Sequence, residues 1–370
     1  MKDDDREDRT LRAAKRSQHR EEIFSIFRVL ISVTIAMIIS FIIIMVVSKE
    51  PVISLKAFIT GPCSSTRRMG NVVEAAIPLI FTGLAASVMF QAKQFSLIGD
   101  GAFFLGALAT SAFAIHTTMP FVIHPFLALI VGAVTGGICG FVPGFLKAKW
   151  DINEFVTSMM LNYILALLGL YFLLYFIRDP KSGFIASFPI MNSAKLARLV
   201  TGTKIHAGLL IALLTIAVMC VFLYKTRWGF AIRMTGINKK FAEYSGINTF
   251  RVLVLCQVLG GSLAGIGGAI EILGMYERFQ WQVSPGLGFD GVTVAILAGN
   301  NPALVLVSAF FLAFLRTGTE IMARESEVPY EAVYVVQGIV MLMVTASTLF
   351  STFHHRLVLN SNRGISDTEA

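Results

Sequence analysis

The chain has 370 residues, 55% hydrophobic and 15% charged, with a formal net charge of +8. Apolar residues fill whole segments instead of striping one face, which excludes a pair of ordinary soluble domains. The basic residues fall in short loops between those segments, which excludes a nucleic-acid face.

Residues 1–22 carry seven basic and seven acidic side chains. With the next few residues they read as a charged arm, residues 1–25. The apolar stretch that begins near Ile23 is too long for a signal-peptide core and lacks a small-residue cleavage site, so no cleavable signal is expected. A membrane domain follows over residues 26–353, then a polar tail over residues 354–370. A hydrocarbon core about 30 Å thick takes roughly 20 helical residues. Spans are expected at Phe27–Val47, Val72–Gln91, Leu97–Ile115, Phe121–Leu146, Asn153–Ile177, His206–Tyr224, Val252–Leu273, Pro302–Met322 and Glu331–Phe353. A shorter piece lies at Gly288–Gly299. The fold class is therefore an all-α polytopic membrane protein of about ten transmembrane helices.

Lysine and arginine counts place the N-terminus, the 225–251 loop and the C-terminus inside. The loop at 178–205, with five basic residues, is the main exception on the outer side. An internal echo runs through the chain. Asp100-Gly101 opens the third span and Asp290-Gly291 opens the short piece; each leads to a span beginning at a proline, Pro125 or Pro302. Next comes a span with Glu154 or Glu331 near its start and Asn162 or Gln337 further in. With about ten crossings the two copies run in opposite directions, an inverted internal repeat with the ligand path between its halves. Coincidence among Gly-, Ala- and Leu-rich helices is the competing reading.

No G-x-x-x-x-G-K-S/T loop, HExxH, paired CxxC or GxSxG occurs, so the chain is not expected to be an enzyme or to hold a cofactor or metal. Cys63, Cys139, Cys220 and Cys256 lack metal spacing and form no disulfide framework. Gly132, Gly136, Gly137 and Gly140 make one small-residue seam, and Gly260, Gly261, Ala264, Gly265 and Gly268 another, both read as close helix packing.

The loop Lys225–Arg251 carries six basic residues. Thr235-Gly236 gives a turn, Asn238 is the N-cap of a short helix over Lys239–Ser245, and Gly246 stops it in left-handed geometry. Phe241, Ala242 and Ser245 share a face and form a knob for a groove on a soluble subunit. A basic loop resting on anionic headgroups is the alternative.

This loop resembles the cytoplasmic coupling loop of bacterial ABC importer permeases of the ribose, branched-chain amino acid and nucleoside family. The resemblance rests on Thr226-Arg-Trp-Gly-Phe-Ala-Ile-Arg, Gly236-Ile-Asn and Ala242-Glu-Tyr-Ser-Gly-Ile. It extends to Asn153-Glu-Phe-Val-Thr-Ser-Met-Met-Leu-Asn-Tyr-Ile, Ser284-Pro-Gly-Leu-Gly-Phe-Asp-Gly-Val and Asn301-Pro, and covers about residues 70–350. Two of these stretches are most similar to the nucleoside branch, which works with basic-membrane-protein-type lipoproteins. Leu97-Ile-Gly-Asp-Gly departs from the pattern, where the family carries Asn-Ile-Gly-Ala/Gln-Glu-Gly.

The resemblance implies a multi-pass protein of the bacterial cytoplasmic membrane that moves a nucleoside or a related base-bearing compound such as riboflavin inward. It implies separate ATPase subunits that bind the ATP, a second permease subunit, homologous or identical, and an extracytoplasmic binding lipoprotein. Gly236, Asn238, Phe241, Ala242, Ser245 and Gly246 would couple to the ATPase. A sugar or branched-chain amino acid permease and an ion-coupled secondary transporter, with Asp100 and Asp290 as ion sites, are the alternatives.

Polar side chains at membrane depth are candidates for the substrate path because lipid burial is costly. These are Asp100, Asn162, Tyr163, Gln257, Asp290, Thr293 and Gln337, with Phe103 as a stacking partner for a base. Interhelical hydrogen bonding competes with ligand contact for each of them. Glu74 and Glu271 read as solvated near the outer interface, Glu154 as a helix cap, and Asp290 as a partner for Arg316.

Overall fold

The computed structural model describes residues 51–325 except residue 201, together with the helical positions Ile38, Ile42, Val335, Gly338, Ile339 and Leu342. The charged arm, nearly all of the spans Phe27–Val47 and Glu331–Phe353, Gln337 and the tail lie outside the described residues. The chain divides into two units, residues 60–318 and residues 1–59 with 319–370. In the smaller unit the described parts are most of α1 (Pro51–Thr60) and the last turns of α11 (Pro302–Glu325), where Glu320 and Arg324 form an i,i+4 pair at 4.0 Å.

In the larger unit the helices are α2 (Thr66–Gln91), α3 (Gly99–His116), α4 (Ile123–Trp150), α5 (Glu154–Phe172) and α6 (Gly208–Lys225). They continue with α7 (Arg227–Ile237), α8 (Lys239–Tyr244), α9 (Thr249–Met275) and α10 (Leu287–Leu297), and then the main part of α11. A π turn, Leu173–Ile177, extends α5. Among the described residues, the only strand-like features are two isolated bridges, Arg178 with Ser187 and Arg198 with His206.

Six of these helices are long and apolar enough to cross a membrane: α2, α4, α5 with its π turn, α6, α9 and α11. The protein is thus an all-α multi-pass membrane protein. Helix α3, 18 residues long, and α10, 11 residues long, are the interrupted pieces between them. The expected boundaries agree with these helices to within a few residues, except that Val72–Gln91 is the later part of the longer α2.

The helices differ in where their apolar surface goes. The most apolar window of α2 is 83% buried within the chain, against 28% for α5 and for α6. Helix α9 packs on α4, α3 and α2, and α10 packs on α2 and α3, so α2, α3 and α9 form the centre. Helices α4, α5 and α6 keep large apolar side chains outward, among them Phe126, Ile138, Met160, Leu167 and Leu214.

The two glycine seams meet each other. A Cβ on Gly136 would run into the Gly261 carbonyl, and one on Gly265 into that of Gly132. Backbones that close forfeit side chains and gain dispersion contact along the whole crossing, which is how membrane helices associate where water supplies no drive.

Candidate functional site

The segment between α2 and α3 turns back into the larger unit instead of ending at its edge. It starts with Lys93 in left-handed geometry (φ 53). It then runs beside the first turns of α5 and is tied there at three points. The Phe95 amide donates to Glu154 Oε1 at 3.2 Å, the Leu97 amide to Ser158 Oγ at 2.9 Å, and the Gly101 amide to Asn162 Oδ1 at 3.0 Å. Asn162 Nδ2 returns a bond to the Leu97 carbonyl at 2.8 Å. Residues 154, 158 and 162 are spaced i, i+4, i+8, so they form one stripe on α5. Irregular backbone at membrane depth must have its polar groups satisfied by protein, and this stripe does that. Gln94 adds a bond from Nε2 to the Leu253 carbonyl at 3.2 Å.

Helix α10 starts beside α3. Gly286 takes φ 77, and Gly288 lies against the Asp100 backbone, where a Cβ would collide. The Gly288 amide donates to Asp100 Oδ1 at 3.2 Å. One turn on, Asp290 Oδ2 accepts from Arg316 of α11 at 2.7 Å, the pairing expected from the sequence. Asp100, Asp290 and Arg316 therefore form a charged cluster where α3, α10 and α11 meet. Glu271 is only 7% exposed and its Oε2 has no hydrogen-bond partner. The solvated reading of Glu271 is therefore corrected: small residues on neighbouring helices let α9 sink far enough to bury it. Phe103, a turn beyond Asp100 and fully buried, stacks on Trp281 at 5.8 Å.

The other candidates fall in different places. Thr293 is half-buried on α10. Gln257 is fully buried, with neither amide atom bonded, and lies beside Gly140 and Gly144 of α4, away from the cluster. Tyr163 is 69% exposed on the outer face of α5. Asn162 spends both ends of its amide on the α3 start. Asn153, not Glu154, is the N-cap of α5: its Oδ1 accepts from Phe155 and Val156. Glu154, freed from capping, binds Lys147 at 3.2 Å as well as the Phe95 amide.

The basic loop folds as two short helices. Thr226 caps α7, and Asn238 caps α8 through a bond from the Phe241 amide at 3.1 Å. Gly246 follows at φ 80. The proposed knob is divided. Phe241 and Ser245 are exposed, but Ala242 is fully buried beneath them, and Gly236 is wedged against the Gln91 backbone. Both are small because the loop is seated on the larger unit. The exposed tip is Phe241, Ser245 and Tyr244, the last 91% exposed.

Sequence reasoning passed over Trp281, Ser158 and Tyr244. The aromatic run Tyr276, Phe279, Trp281 between a span and a half-helix was the available signal for the first. It also passed over the ordered loop at 178–205, where Asp179 pairs with Arg278 at 2.6 Å. The arginine hydrogen bond, then the Lys181 amide, holds the Asp179 carboxyl below its ordinary range.

Residues 68–345 match the family described as branched-chain amino acid transport system / permease component. A glucose ABC transporter permease protein of Haloferax volcanii is 31% identical over 82% of this chain and 83% of its own. A guanosine ABC transporter permease protein of Bacillus subtilis is 32% identical over 75% and 81%. A probable riboflavin import permease protein of Treponema pallidum is 26% identical over 82% and 81%.

Proposed function

The chain belongs to the family of branched-chain amino acid transport system permease components, and from that membership we propose that it is the membrane subunit of an ATP-binding-cassette importer for a nucleoside or related base-bearing compound such as riboflavin. The observation that carries the coupling role is the capped helix α8, seated on the larger unit by Ala242 and presenting Phe241 and Tyr244 outward. A six-residue helix is too short to persist in water alone, so its seat and caps hold it ready for a partner. In this reading the 225–251 loop faces the cytoplasm of a bacterium, where ATPase subunits grip it. A second permease subunit completes the path, and an extracytoplasmic lipoprotein delivers the ligand.

The path runs past the cluster of Asp100, Asp290 and Arg316, beside the stacked Phe103 and Trp281. Aromatic faces accept a base, and charged groups hydrogen-bond its edge or a ribose. The adjoining starts of α3 and α10 favour an inverted repeat of about ten crossings, because each would be the broken helix of one half. The relatives named for guanosine and riboflavin support the base-bearing class; the one named for glucose favours a sugar as the second reading. Competition of labelled guanosine uptake by riboflavin, glucose, ribose and leucine separates them. Guanosine or riboflavin is expected to compete, and competition by a sugar or leucine alone would overturn the base-bearing assignment.

A further inference from the structure

A socket of about 450 Å³ opens where α7 meets the end of α2 and the turn between α10 and α11. Phe90, Gln91, Lys93, Tyr224, Arg233 and Asn300 line it. Its rim is built: Ser87 Oγ and Gln91 Nε2 both donate to the Asn300 carbonyl, at 2.7 and 2.8 Å, and Gly299 and Asn300 both take left-handed φ. Arg233 lies over the Tyr224 ring at 5.2 Å, and its Nε is buried with no hydrogen-bond partner. Among the described residues, neither Arg233 nor Lys93 is paired with a carboxylate. Gln91 Oε1 and Asn300 Oδ1 are also buried and unbonded.

Two cations call for an anion, and a zwitterionic choline headgroup has no net charge to answer them. The socket sits at the ends of the apolar helices α2 and α6, with Trp228, Phe230 and Ile237 exposed nearby, the composition of a membrane–water boundary. We propose that this socket binds the headgroup phosphate of an anionic phospholipid such as phosphatidylglycerol. Lys93 and Arg233 hold the phosphate. The site lies outside the translocation cluster, and its argument does not depend on which compound is carried.

The full chain in detergent, mixed with defined lipids and read by native mass spectrometry, tests this. Phosphatidylglycerol is expected to be retained about tenfold over phosphatidylcholine. Lys93→Gln and Arg233→Gln should each lose most of that preference with an unchanged melting temperature, while Lys225→Gln, outside the socket, should keep it. Equal retention of phosphatidylglycerol and phosphatidylcholine would overturn the proposal. So would equal loss in Lys225→Gln, which would mean diffuse charge, or displacement by inorganic phosphate as readily as by lipid, which would mean a free-anion site. Loss of an ATPase partner in Arg233→Gln without any lipid preference in the parent chain would assign the socket to an acidic side chain instead.

Discussion

The starts of α3 and α10 lie side by side and are held in different ways. The α3 start is tied by backbone hydrogen bonds to Glu154, Ser158 and Asn162 along a stripe on α5, and each end of Asn162 is spent there. The α10 start rests on charges: Asp100 on the Gly288 amide, and Asp290 on Arg316. Short-range hydrogen bonds spread along one stripe hold one geometry. A charged pair such as Asp290–Arg316, close to a second carboxylate at Asp100, can redistribute when a ligand or a neighbouring helix moves. The first region is scaffold, and the second is where transport chemistry is expected.

Breaking the scaffold has the largest effect on stability. Asn162→Leu leaves the Gly101 amide and the Leu97 carbonyl without partners, at a cost of ~3 kcal/mol for the two groups. The expected result is a melting temperature several degrees lower in detergent and poor recovery of folded chain. Asp290→Asn sharpens the contrast from the other side. Loss of its partly buried pair costs ~2 kcal/mol, between the exposed and the fully buried cases, and inserted protein is expected at near-normal levels. Uptake by the assembled complex should fall about tenfold if the proposed path runs past this pair. Equal stability losses with equal residual uptake in the two variants would erase the distinction.

The smallest effect lies in the loop at 178–205, away from both starts. The Asp179 carboxyl titrates below its ordinary value of 3.8 in the folded chain because Arg278 hydrogen-bonds to it. Its contribution is therefore complete above the ordinary value and is lost as pH falls through the lowered one. Asp179→Asn should flatten the acid limb of a melting-temperature profile and leave the neutral region with only a small offset.

Much of this was legible in the sequence, for identifiable reasons. Helix positions followed from apolar length, since lipid demands it. The Asp290–Arg316 pair followed because opposite charges in apolar surroundings must find each other. The caps at Asn238 and Thr226 are local, and local chemistry is what a sequence displays; Asn238 was read and Thr226 was not. Asn162 was read as a substrate-path candidate with interhelical hydrogen bonding as the alternative, and nothing in the sequence reveals that the 93–98 segment turns inward and takes its donor and acceptor. Its partners are 61 and 65 residues away. Ala242 and Glu271 were misplaced for the same reason: their burial depends on which surface arrives from elsewhere in the chain. The stripe at 154, 158 and 162 was visible as spacing, but spacing alone does not say what will lie against it.

The central proposition is that this subunit is moved from outside, through the tip of α8. Co-purification of the ATPase with the parent chain and with a Phe241→Ala/Tyr244→Ala double variant tests it most directly. These two side chains are exposed, 54% and 91%, so their removal should leave the melting temperature unchanged. The expected result is loss of the ATPase and of uptake with normal membrane insertion. A double variant that keeps both the ATPase and full uptake would contradict it.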